Sequence, residues 1–207
     1  MEKYALILPP NNLNRLHGET RLINSILYLL DQLIRLGYTS IHIPLKEVDS
    51  DLTNLILKYS RLAEIVELEV ENYCHGHILG MVSEISGPED TFLVLELPWN
   101  ISERVLLFMD QVYMKSLNNS IICGRATRVT DPIFIHLGDG KIVTHVSRSR
   151  ESEIVYLGGL VLEYNFLKWV MERFKVRPSS LEENIMELIN DYIYNGGLFN
   201  AWIIDPD

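Results

Sequence analysis

Residues able to do chemistry gather at the start of the chain. Tyr4-Ala-Leu-Ile-Leu8 is a short apolar run, Pro9-Pro10-Asn11-Asn12-Leu13-Asn14 is turn-forming, and Arg15 is a cation just beyond. A buried strand, a tight loop and a helix start are what hold phosphates in open α/β sheets, because the helix N-terminal amides point at the anion. Pro9 and Pro10 have no N–H to offer. Leu13 brings a branched side chain to where a phosphate would approach. Asn11 and Asn12 tolerate positive φ, so the loop can still turn sharply. The plainer alternatives are that Asn11-Asn12 is only a turn, and that Arg15 is a surface residue pairing with Glu19 or Asp31.

Other candidates lie farther along. Cys74, His75 and His77 are metal-ligand types at close spacing, but a closed zinc site needs four ligands, and only Cys123 could complete the set. The competing reading makes them ordinary helix-start residues. Trp99 and Trp202 could stack a base or sugar, or pack in a core or interface. Asp205 and Asp207 sit near the end of the sequence, where carboxylates are often simply solvated. His17, His42, His136 and His145 show no catalytic spacing with a serine or cysteine, and neither a G-x-S-x-G nor a Walker pattern is present.

The elements that must position these residues read as follows. Residues 4–8 form a buried strand, and 18–37 a helix whose apolar positions recur every three to four residues until Gly37. Strands follow at 40–44, 64–70 and 91–95, with helices over 51–63, 77–85 and 101–117. Residues 120–124 and 133–137 are strands, Gly138-Asp139-Gly140 is a hairpin turn, and 141–146 is its return strand. A strand over 154–162 contains Gly158-Gly159. Helices cover 165–174 and 180–194, the latter with a capping-box spacing at Ser180-Leu-Glu-Glu183, and 199–204 is the last strand. Strand–helix alternation over the first hundred residues implies a parallel sheet. The fold expected is a single α/β domain over residues 1–207, with a mixed or antiparallel second half.

Composition narrows the class. The 207 residues are 47% hydrophobic, enough for a substantial core. A net charge of −10 gives no general attraction for nucleic acid or anionic membrane. Two cysteines are not a disulfide framework and suit a reducing cytoplasm. The start lacks a signal peptide's apolar region, and no stretch approaches the ~20 apolar residues of a membrane span. A cytoplasmic protein is expected.

Taken together, the motifs resemble the sugar-phosphate nucleotidyltransferases, the pyrophosphorylases that join a sugar phosphate to a nucleoside triphosphate. Ala5-Leu-Ile-Leu-Pro-Pro-Asn-Asn-Leu-Asn-Arg-Leu16 lies over that family's strand and A-A-G-x-G-T-R-L without a gap. Leu22-Ile-Asn-Ser-Ile-Leu27 and Leu36-Gly-Tyr-Thr-Ser-Ile-His-Ile43 resemble its first helix and second strand. Cys74-His-Gly76-His is similar to P-L-G-T, near which the base is held. Asp90-Thr-Phe-Leu-Val-Leu95 resembles the strand ending in the metal-binding G-D, and Asp139-Gly-Lys-Ile-Val143 its hairpin. Tyr156-Leu-Gly158-Gly-Leu-Val-Leu162 is similar to N-A-G-x-Y-V-L, and Ala201-Trp-Ile-Ile-Asp205 to W-x-D. The resemblance implies a Rossmann-like nucleotidyltransferase fold without the β-helical extension that many relatives carry.

The departures fall on the chemistry. Asn11 and Leu13 replace the loop glycines and Asn14 the threonine. The P-K-P segment with its phosphate-contacting lysine has no counterpart between Arg15 and Gly18. Glu96-Leu97-Pro98-Trp99 stands where G-D would follow the central strand. The sugar-phosphate-contacting E-K would lie near Ser147-Arg148-Ser149. Asp205 is one residue late as the second metal aspartate. Nucleotidyl transfer builds charge on phosphate oxygens and needs positioning, cations and carboxylate-held Mg²⁺. The resemblance therefore implies a catalytically impaired member that binds a nucleotide or nucleotide-sugar, or acts as a regulatory or partner subunit in a homo- or hetero-oligomer. The alternative is an active transferase with altered residues, using Mg²⁺ if active. Site candidates are Arg15 as catalytic cation, Pro10, Asn11, Asn12, Asn14, Gly76, Glu96, Trp99 and Gly158 as ligand contacts, and Asp205 as a metal ligand.

Overall fold

A computed structural model describes residues 2–10, 19–45, 50–70, 74–97, 101–116, 118–125, 132–150, 152–176 and 183–204. In chain order the elements are β1 (Tyr4–Leu8), α1 (Glu19–Arg35), β2 (Ser40–Leu45), α2 (Ser50–Ile56), β3 (Glu64–Glu69), α3 (His75–Ile85), β4 (Thr91–Glu96) and α4 (Glu103–Lys115). The second half adds β5 (Ser120–Arg125), β6 (Phe134–Leu137), β7 (Val143–Ser147), β8 (Ile154–Glu163), α5 (Tyr164–Val176), α6 (Ile185–Tyr194) and β9 (Asn200–Ile204).

The strands form one sheet in the order β3-β2-β1-β4-β8-β5-β9. The first four are mutually parallel, β8 runs against both β4 and β5, and β9 is parallel to β5. The alternating half and the mixed half are thus joined through one reversed strand. A β6–β7 hairpin attaches to β8 at Phe134↔Val155.

Side chains alternating along each strand feed two cores, one on each face. Leu6 and Leu8 of β1 and Phe92 and Val94 of β4 pack with α3, α5 and α6. Ala5, Ile7, Leu93 and Leu95 pack with α1, α2 and α4. Burial on both faces is why β1 and β4 read as continuous apolar runs. The outer strand β3 instead exposes Glu64, Glu67 and Glu69, charges that protect a sheet edge from pairing.

The largest boundary differences from the sequence expectation are at two helix ends. The helix expected over 51–63 stops at Ile56, because i→i−3 bonds take over (Tyr59 N–H to Ile56 O, 2.8 Å) and Ser60 Oγ donates to Leu57 O at 2.7 Å. The expected helix start at Ser180 lies outside the described residues; the described helix α6 begins at Ile185, capped by Asn184 and Glu187 in a complete capping box. Asn184-x-x-Glu187 carries the same spacing signal as Ser180-x-x-Glu183, four residues later. The hairpin turn is present, with Gly140 at φ +67°. No helix among the described residues is long and apolar enough to cross a membrane.

Candidate functional site

The C-terminal ends of β1 and β4 lie side by side, with Leu8 opposite Glu96 and Leu97 N–H donating to Leu8 O at 2.8 Å. Beyond β1 the chain continues through Pro9 and Pro10, both buried. Pro10 of the candidate set is therefore part of the strand's packed exit. Arg15, Asn11, Asn12, Asn14, Trp99 and Asp205 lie outside the described residues.

His75 fastens this exit to two helices. It is the first residue of α3 and is 1% exposed. Its Nε2–H donates to Pro9 O at 2.7 Å, and its Nδ1 accepts from Ile185 N–H, the first amide of α6, at 3.2 Å. Those two bonds define the neutral tautomer. Burial, the larger effect, pushes its pKa down to about 4, with the Pro9 carbonyl acting the other way. Both ring nitrogens are engaged and Cys74 and His75 open α3, which is the helix-start reading of this cluster and not the zinc one. His77 is exposed, and Cys123 is buried in β5 with its thiol pushed up by burial.

Gly76 follows, also buried. A Cβ there would lie 2.0 Å from Phe174 Cζ of α5, so the residue's smallness serves the close packing of α3 on α5.

Glu96 sits where the sheet forks. β4 pairs with β8 as far as Leu95↔Gly159, and β6 joins the same side of β8 at Val155. Between them β8 bulges, the β5 register passing from Ile121↔Leu160 to Cys123↔Tyr156. Gly158 lies in the bulge at φ +84°, a conformation that favours glycine. Gly159 beside it leaves room for Met109 of α4, whose Cε would lie 2.4 Å from an added Cβ.

Alternation along β4 directs Glu96 to the face shared with Tyr156, which is wholly buried. Burial first, then the Glu96 carboxylate beside it, holds the Tyr156 phenol far above its usual range. One Glu96 oxygen is out of solvent contact. Leu97 turns to the opposite core, on the face of α1 and α4. Mg²⁺ prefers a rigid shell of oxygen ligands. Among the described residues no three His, Cys, Asp or Glu side chains converge, and the strand-end carboxylate is directed into the fold against a phenol. Asp205, the metal-ligand candidate, lies outside the described residues.

Two residues here escaped sequence reasoning as site candidates. Tyr156 was visible in the glycine-containing motif, but its burial against Glu96 depends on a bulge no local pattern announces. Arg125 ends β5, exposed and opposite Ile154, bringing a cation to the same edge. Its position as the last residue of an apolar strand was the available signal.

No protein-family model and no curated protein matches the sequence. Solved structures do match. A protein assigned as a glucose-1-phosphate thymidylyltransferase of Bacillus anthracis, in complex with a sucrose, superposes with TM-score 0.76 at 13% identity, over 99% of this chain and 87% of that one. The inositol-1-phosphate CTP transferase of T. maritima gives 0.73 at 10%, over 99% and 86%. A nucleoside-diphosphate-sugar pyrophosphorylase of Vibrio cholerae RC9 gives 0.66 at 14%, over 97% and 92%. Across nearly its whole length, the chain has the α/β fold of the sugar-phosphate nucleotidyltransferases.

Proposed function

We propose that this chain binds a nucleotide or nucleotide-sugar at the C-terminal edge of β1 and β4, as a regulatory or partner subunit with impaired nucleotidyl transfer. The observation that carries the reading is the engagement of Glu96 with Tyr156 at the end of the central strand. A carboxylate turned toward a buried phenol is poorly placed to contact a triphosphate-bound metal. Pro9 and Pro10 support the same view, because two consecutive residues of the β1 exit lack an N–H. The three structural neighbours are named as transferases or pyrophosphorylases acting on sugar or inositol phosphates with nucleotides, which supports a ligand of that chemistry.

The test uses the pure protein with Mg²⁺, nucleoside triphosphates and sugar phosphates, followed by pyrophosphate release and by thermal shift. A ligand that favours the folded state raises the melting temperature. The expected result is a shift with a nucleotide or nucleotide-sugar and no pyrophosphate. Pyrophosphate release abolished by Arg15→Ala would establish the active-transferase reading instead. Absence of any shift would remove the nucleotide and leave a protein-partner role.

A further inference from the structure

The β6–β7 hairpin carries two histidines directly opposite each other, His136 on β6 and His145 on β7. Their rings stack with centroids 3.8 Å apart and planes 11° from parallel. His145 is exposed and His136 half-buried, so the pair is open to solvent.

The backbone beneath the rings is held from the other face. Alternation turns their neighbours Ile135 and Val146 into the core. Asn190 of α6 clamps Val146, its Nδ2–H donating to Val146 O at 2.8 Å and its Oδ1 accepting from Val146 N–H at 2.7 Å. Thr144 Oγ1–H donates across the hairpin to His136 O at 3.1 Å, and Ser152 Oγ–H donates to Ile135 O at 2.8 Å. The two rings therefore project from a fixed frame.

Ser147 sets the state of one ring. Its hydroxyl proton goes to Ser149, whose O and Oγ both lie at 3.1 Å. Its oxygen therefore accepts from His136 Nε2–H at 3.0 Å, and that tautomer puts the His136 lone pair on Nδ1. An imidazole whose N–H is held by an oxygen while its other nitrogen offers a lone pair is the form in which histidine ligates a metal.

We infer that His136 and His145 form a two-imidazole site for a late first-row divalent cation, Cu²⁺ most tightly, with Ni²⁺ and Zn²⁺ behind it. Imidazole nitrogen suits these ions, whereas Mg²⁺ takes oxygen shells. At metal–nitrogen bonds of about 2.0 Å two cis nitrogens lie roughly 3 Å apart, so small side-chain rotations bring the stacked rings onto one ion. No third His, Cys, Asp or Glu joins them among the described residues, and water completes the shell. The site requires no nucleotide, so its test is separate from that of the proposed function.

The experiment titrates Cu²⁺, Ni²⁺ and Zn²⁺ separately into the whole chain by calorimetry, with Mg²⁺ in excess, and records the EPR spectrum of the Cu²⁺ form. Cu²⁺ binds most tightly, and its spectrum shows two imidazole nitrogens. His136→Ala and His145→Ala each weaken it by at least about tenfold and leave one nitrogen, and Ser147→Ala weakens it about tenfold with both nitrogens kept. His145→Ala, at an exposed position, keeps the test open should His136→Ala fail to fold. No binding of any of the three ions at millimolar concentration, binding indifferent to His145→Ala, or displacement by Mg²⁺ would overturn the assignment.

Discussion

Replacing His75 by glutamine separates what the buried imidazole contributes as a hydrogen-bonding bracket from what it contributes as a titrating group. In the folded chain burial holds its pKa at about 4, against an ordinary histidine value of about 6.5. Between those values the unfolded chain holds more protons than the folded one, so stability rises with pH across that window. The contribution is fully present above about pH 6.5 and is lost as pH falls toward 4. Protonation would place an Nδ1–H against Ile185 N–H, two donors face to face at the start of α6. From pH 7 to pH 5 the linkage amounts to roughly 2 kcal/mol for this one residue. His75→Gln keeps an amide donor and acceptor but cannot titrate. Urea unfolding at pH 7 and pH 5 should show the variant destabilised at pH 7, yet losing about 2 kcal/mol less than the parent on acidification. The same pH dependence in both proteins would refute the claim that His75 is neutral and buried between Pro9 and Ile185.

Other substitutions test other joints. His42, 5% exposed in β2, is likewise lowered to about 4, by burial against an opposing pull from Asp90; His42→Gln should remove a second acid-sensitive increment of similar size, read by the same unfolding experiment. Gly159→Ala should cost about 1–3 kcal/mol by forcing Met109 out of its place, measured as a lower urea midpoint with an unchanged m-value. Tyr156→Phe should cost on the order of 1–3 kcal/mol, because the Glu96 carboxylate loses its phenol, and Glu96→Gln in that background should recover part of the loss.

The sequence carried the layered architecture because its signals are local. A continuous apolar run such as Phe92-Leu-Val-Leu95 identifies a strand buried on both faces, and the three-to-four spacing of Leu22, Ile26, Leu30 and Leu33 identifies the buried stripe of α1. The motif order also pointed to the fold that the structural neighbours share. The site was less accessible, because its bonds are not local. From its neighbours in sequence His75 read as a helix-start residue or a metal ligand, and only the folded chain brings it to Ile185, 110 positions away. Gly76 resembled part of a base pocket, and its close neighbour is Phe174 of α5. The pairing of Glu96 with Tyr156 depends on the bulge in β8, a register change between strands that neither strand's pattern specifies. Helix ends were misplaced where serine and asparagine compete for capping, as at Ser60 and Asn184.

The decisive measurement is a pyrophosphate-release assay on the pure chain with Mg²⁺ and a panel of nucleoside triphosphates and sugar phosphates, run beside a thermal-shift titration of the same compounds. Binding of a nucleotide or nucleotide-sugar with no pyrophosphate formed is the expected outcome. Pyrophosphate released in proportion to enzyme, and lost in Arg15→Ala, would contradict it.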